Sequence, residues 1–159
     1  ASAAAALFLV FDFGGVITAN AFPGLVGYSE HVFDLVAAAN ASRLAEAHSA
    51  DAQLVAAVAS ALRPKMRAFF SAVNKFDGFV NGESHWERME RGKIDRAGYC
   101  AAFPTLAVKC AAGLYGTRAE KTLRKRMADA DEAMVAKGTA IAKDIVAAFA
   151  ASFDIDVAM

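Results

Sequence analysis

Only two cysteines, three prolines, three histidines and one tryptophan occur in 159 residues. Two cysteines cannot build a disulfide framework, so the fold has to rest on a buried core. Few prolines and eleven glycines exclude a low-complexity or collagen-like chain. Charge of one sign is not in excess: 17 basic residues balance 17 acidic ones. That removes the overall positive field that attracts nucleic acid, and no nucleic-acid partner is expected. His31, His48 and His85 stand far apart, in neither a HExxH nor a paired Cys/His spacing, so zinc is not expected. The alternating oxygen ligands of a calcium loop are missing between Lys75 and Glu83. No complete catalytic or nucleotide motif is present, and neither metal nor cofactor is expected.

What the chain does have is apolar residues, 57% of the total, and a mean hydropathy of +0.32. From Leu44 to Phe153 it is alanine-rich, with larger apolar residues at steps of three and four. That spacing specifies amphipathic helices. The expected fold class is all-α: a bundle of four to five helices over residues 29–153, an apolar segment over 1–28 and a tail over 154–159. A bundle of this size has limited interior, so surplus apolar surface points to contact with other protein subunits or lipid.

Ala3 to Tyr28 carries a single charge, Asp12. It is long enough for a membrane-contacting segment, although Gly14, Gly15, Pro23 and the charge oppose insertion. Ala3–Val10 followed by Ala19-Asn20-Ala21 also fits an export-type signal with its cleavage site. A third reading is a buried strand, Leu7–Phe11, ending in a glycine turn. The favoured reading is an apolar segment buried against the bundle or a neighbour, with lipid contact through residues 3–28 as the alternative. The compartment stays open between membrane association, an organelle and export.

The helices are expected as follows. Helix one runs from about Leu25 to Ala47, weakened or divided at Asn40 and Ser42. A second starts at Ser49 or Asp51. Its stripe is Leu54, Val58, Leu62, Met66, Phe69 and Val73, with a kink or restart at Arg63 ahead of Pro64. Lys75–Glu83 reads as a loop with turns at Asp77-Gly78 and Asn81-Gly82, held down by Phe76 and Phe79. Ser84-His85-Trp86-Glu87 is a capping box for a short helix stopped by Gly92. Asp95 caps the next helix, which ends near Pro104 or resumes after it. Gly113–Gly116 is a break. Thr117–Glu120, a second capping box, opens one long last helix whose stripe is Leu123, Met127, Ala130, Met134, Ile141, Ile145, Phe149 and Phe153, interrupted at Lys137-Gly138. Cys100 and Cys110, ten residues apart on one helix, would lie about 15 Å from each other, beyond disulfide reach. Two free thiols are the expected state, with a bend at Pro104 as the route to a bond.

Phe11-Asp12-Phe13-Gly14-Gly15-Val16-Ile17 resembles the first motif of the haloacid dehalogenase superfamily. Trp86 with Glu90-Arg91-Gly92-Lys93-Ile94 resembles a stretch of that family's helical cap. The resemblance implies a strand ending in Asp12 and a nucleophilic role for its carboxylate. Gly14 stands where the family's phosphatases carry a second aspartate, and the chain after Gly113 reads as helix where the family has further strands.

The basic run Arg118, Lys121, Arg124, Lys125 and Arg126 suits an anionic ligand. The ordinary reading is a solvated helix face, with Glu120 one turn from Arg124 and Asp129 one turn from Lys125. Trp86 and the phenylalanines before it suit either a partner surface or the core, and the core is preferred. The first functional expectation is a non-catalytic accessory subunit that stabilises a larger multisubunit complex by helix packing, with a membrane-bound complex as one option. Its interaction candidates are Phe8, Phe11, Phe13, Phe22, Trp86, Arg118, Lys121 and Lys125. The second is a dehalogenase-like hydrolase or degenerate relative using Asp12. The third is a helical protein that holds a cofactor or pigment, with a histidine as ligand between helices.

Overall fold

The computed structural model describes residues 22–112, 116–127 and 129–155, with the side chains of 22, 23 and 116–119 outside the description. Phe8, Phe11, Asp12 and Phe13 therefore lie outside the described residues, as does the break expected at Gly113. The structure is all-helical, with no strand among the described residues. The described helices number seven rather than four to five: α1 (Phe22–Ala47), α2 (Ala52–Met66), α3 (Phe69–Asn81), α4 (His85–Glu90), α5 (Arg96–Cys110), α6 (Gly116–Arg126) and α7 (Glu132–Ser152).

They form two packed groups. α1, α2, α6 and α7 make a four-helix group, and α3, α4 and α5 a smaller one joined to it through α5 and α7. Phenylalanines cross the join. Phe149 meets Phe69 across it at 4.8 Å between ring centroids, and Phe33 within the four-helix group at 5.7 Å. Phe153 touches Phe69 at 5.5 Å and Phe103 at 5.6 Å. Edge-on and tilted aromatic contacts of this kind add about 0.5–1.5 kcal/mol each beyond their burial.

Polar side chains explain where several helices start. Asp51, not Ser49, caps α2 by accepting the Leu54 N–H at 2.6 Å. Asp95 caps α5 through the Gly98 N–H at 2.7 Å. α1 runs undivided through Asn40 and Ser42. The Asn40 side-chain amide donates to the Val36 carbonyl at 2.8 Å, so its polar group does not compete with the helix. Salt bridges join α1 to α2: Arg63 forks onto Asp34 at 2.9 and 3.0 Å and also meets Glu30 at 3.1 Å. The hydrogen bond to Asp34, more than the nearby negative charges, raises the Arg63 pKa.

Four boundaries differ from the sequence reading. Pro64 does not restart the chain at Arg63; α2 continues to Met66 and the break falls at Arg67–Ala68. Met66, Phe69, Phe70 and Val73 are buried on either side of that break. α5 likewise passes through Pro104 to Cys110. Phe103, Leu106, Ala107 and Cys110 are buried around that proline. A buried Phe or Leu contributes about 1.5–3 kcal/mol, which together offsets the roughly 3 kcal/mol of a mid-helix proline. Cys100 and Cys110 lie on this one helix, and no disulfide joins them to each other.

The expected single last helix is two. α6 ends at Arg126, and Asp131 caps α7 by accepting the Met134 N–H at 2.7 Å. The phase of the apolar stripe changes with the break, so Val135 is buried and Met134 is exposed. Lys137-Gly138, where the apolar stripe was expected to be interrupted, lies inside α7, and Gly138 is buried. A Cβ at Gly138 would sit 3.4 Å from both Leu123 of α6 and Val58 of α2, so this glycine marks a close three-helix approach. Finally, Lys75–Glu83 is not a loop: α3 continues to Asn81, and only Gly82 turns, at φ +76°.

Among the described residues no helix is long and apolar enough to cross a membrane. The chain just beyond α7 belongs to the core, since Phe153 and Ile155 are buried.

Candidate functional site

The side chains most suited to recognition gather where α3 meets α4. Asp77, in the last turns of α3, is fully buried. Its carboxylate accepts the His85 backbone N–H and lies 3.0 Å from the His85 Nδ1. It also accepts the Asn81 side-chain amide at 2.7 Å. A hydrogen bond from the ring to an acceptor carboxylate requires a proton on Nδ1 and leaves Nε2 as the other ring position. These bonds keep α3 helical through Asp77-Gly78, where a turn was expected, and fix the start of α4.

The capping box is complete. Ser84 Oγ accepts the Glu87 N–H at 3.1 Å, and Glu87 Oε2 accepts the Ser84 N–H at 2.8 Å. Gly92 takes φ +67° two residues past the end of α4, a left-handed turn that glycine adopts without steric cost. Glu83, ahead of the box, pairs with Lys93 at 2.8 Å and Arg91 at 2.6 Å. The Lys93 hydrogen bond first, and the two positive charges with it, hold the Glu83 carboxyl below its ordinary range.

Between α3 and α4 lies an open cleft of about 460 Å³. Phe70 and Trp86 supply aromatic walls and stand edge-on to each other at 5.3 Å. Ser71, Asn74 and Lys75 line the α3 side; Ser84 and Glu87 line the α4 side. Trp86 also rests against Tyr99 at 5.5 Å. Tyr99 is buried and donates its hydroxyl to Asn74 Oδ1 at 3.1 Å. Burial raises the Tyr99 pKa strongly, and the Asn74 bond offsets only part of that.

Beyond Lys75 the surface turns apolar. Phe79 is 90% exposed and its neighbour Val80 is 57% exposed. Phe76 packs on the core, as expected of it, but Phe79 does not fold back. The Asp77–His85–Asn81 bonds keep this segment helical, which directs Phe79 away from the bundle.

The sequence candidates fall in different places. Trp86 lines the cleft, half-buried. Phe22 begins α1 and Arg118 lies in α6, with both side chains outside the description. Lys121 and Lys125 are exposed on α6. Arg124 is engaged by Glu120 at 2.9 Å and by Glu132 at 2.6 Å across the α6–α7 turn. The hydrogen bond to Glu132 is the main cause that raises the Arg124 pKa, and the same bond lowers that of Glu132. Glu120 thus pairs as its spacing implied, and Glu132 adds a second carboxylate. The structure does not bring α6 and Trp86 into one site: α6 packs on α2 and α7, and Trp86 lies in the α3–α5 group.

Of the histidines, His31 is exposed, His48 Nε2 meets Asp144 at 2.8 Å, and His85 meets Asp77. No group of three or more His, Cys, Asp or Glu side chains among the described residues comes together to hold a metal. Sequence reasoning missed Lys75, Phe79 and the Asp77–His85 pair as site residues. Their only signal was a polar and aromatic cluster in a segment taken for a loop. No protein-family model, curated protein or solved structure matches this chain.

Proposed function

We propose that the chain is a helical accessory module that binds another protein subunit through the outer face of α3. The observation that carries this reading is Phe79, 90% exposed beside exposed Val80 on a helix held rigid by a buried carboxylate. An exposed large apolar pair next to an aromatic cleft is the composition of an interface core, where aromatic anchors carry much of the binding energy. Purification of the tagged full chain from its source tests it. A partner at fixed stoichiometry is expected, and Phe79→Ser should release that partner while leaving the circular dichroism spectrum and melting temperature unchanged. Equal retention by Phe79→Ser rejects the reading.

A second reading keeps the resemblance to the haloacid dehalogenase superfamily. What favours it is that helices follow the Asp12 motif, with the cap-like stretch lying in α4 and in the Gly92 turn after it. On this reading Asp12 is the nucleophile. Magnesium-dependent hydrolysis of p-nitrophenyl phosphate, abolished by Asp12→Asn, is the expected result. Identical background rates for the two proteins reject it.

A further inference from the structure

We propose that the α3–α4 cleft receives an acidic peptide segment, with an apolar side chain over Phe70 and Trp86 and a carboxylate held by Lys75. The inference rests on the reading of the chain as a partner-binding module and names the chemistry of the partner.

The hydrogen-bonding inventory of the cleft is asymmetric. On the α4 wall, Ser84 Oγ and Glu87 Oε2 are committed to the capping box. On the α3 wall, Asn74 uses its carbonyl oxygen to accept from Tyr99, which turns its remaining capacity into amide donors. Ser71 adds a hydroxyl, and Lys75 an ammonium with no ion pair to any described residue. The α3 wall is thus rich in donors and carries a cation, and a carboxylate is the ligand group that matches it. Glu87 keeps Oε1 outside the box, so its charge repels a carboxylate from the α4 wall and sets the direction in which the occupant lies.

The apolar part of the cleft fits a side chain. Phe70 is buried and Trp86 half-buried, and their edge-on contact leaves aromatic surface on the cleft side. Exposed Phe79 lies one helical turn beyond Lys75 and continues the apolar surface outside the cleft. An occupant that meets both is longer than the cleft, which favours an extended peptide over a compact small molecule. The carboxylate can come from an acidic side chain or from a chain terminus.

Trp86 is the chain's only tryptophan, so its emission reports on the cleft directly. The full chain is titrated with the peptide acetyl-Gly-Ser-Phe-Glu-Gly-amide, with versions carrying Gln for Glu or Ala for Phe, and with acetyl-Gly-Ser-Phe ending in a free carboxylate. A saturable emission change with Kd of about 10–100 μM is expected for the acidic peptide. The Gln version and the Lys75→Glu protein should each bind about tenfold more weakly, and Lys75→Arg should retain binding. Response to the free-terminus peptide assigns the carboxylate to a chain end; its absence assigns it to an acidic side chain. Lys75 is exposed, so Lys75→Glu should keep the wild-type circular dichroism spectrum. Equal affinity for the Glu and Gln peptides, or no saturable change at millimolar peptide, overturns the inference. A response confined to phosphatidylserine vesicles overturns it in favour of a lipid surface. A co-purifying partner lost on Phe79→Ser but kept by Lys75→Glu rejects the cleft and leaves the module standing. Lys75-dependent peptide binding with no co-purifying partner does the reverse.

Discussion

Asp77 holds His85 twice, accepting its backbone N–H and lying 3.0 Å from its ring Nδ1, from a position with no solvent exposure. One carboxylate therefore fixes the end of α3, the start of α4 and the wall of the cleft between them. A buried acceptor with three donors is costly to disturb, because removing it leaves those donors without a partner.

Asp77→Ala is expected to lower unfolding stability by about 2–4 kcal/mol. Urea denaturation measures that loss. Hydrogen exchange should show the His85 amide losing protection by more than the amides of α7. Uniform loss across both regions would mean that Asp77 acts on the whole bundle and not on the α3–α4 corner.

Gly138 is a question of room. Alanine there would bring its Cβ into ordinary contact with Leu123 and Val58, at 3.4 Å. The helix gains about 1 kcal/mol from the change, so Gly138→Ala should be neutral or slightly stabilising. Gly138→Leu should destabilise by about 1–3 kcal/mol through overpacking. Chemical denaturation of the two variants gives the comparison, and equal effects would refute the close approach.

Tyr99 makes the fold sensitive to alkali. Its folded pKa is raised above the ordinary 10.0, mainly by burial. The sign follows from linkage: the stabilising contribution is fully present below pH 10.0, and it declines as pH rises from there toward the folded pKa, because the unfolded chain ionises first. Wild-type melting temperature should fall above pH 10.0, and Tyr99→Phe should flatten that fall while losing the bond to Asn74. Parallel pH profiles for the two proteins would refute this.

Phe149 is the hub of the aromatic join, touching Phe33, Phe69 and Phe153. Phe149→Ala should cost about 3–5 kcal/mol, whereas Phe79→Ala at the exposed end of α3 should stay within about 0.5 kcal/mol. Thermal melts of the pair distinguish core from surface. A large loss at Phe79 would place that ring in the core after all.

Helical periodicity, capping residues and glycine stops were legible because they are local. Asp51, Ser84 with Glu87, Gly92 and Asp95 each act within four residues of the backbone groups they satisfy. Misplaced boundaries share a different cause. The continuation of α5 through Pro104 and of α3 through Gly78 depends on neighbours distant in sequence. Local propensity marked each of those positions as a break, and burial or a remote hydrogen bond outweighed it. The candidate site was illegible for the same reason. Trp86 stood out by its chemistry, but Lys75 and Phe79 become distinctive only once α3 is helical and α4 is folded back beside it.

The sequence alone determined that this chain is helical, where most of its helices begin, and that it must bury an aromatic core. Such properties follow from the spacing of apolar side chains and from caps that act over one turn. Only the tertiary structure decided that seven helices pack as two groups, that Asp77 is buried against His85, and that Phe79 faces solvent. Those outcomes depend on which faces meet across the fold, and no short window of residues contains that information.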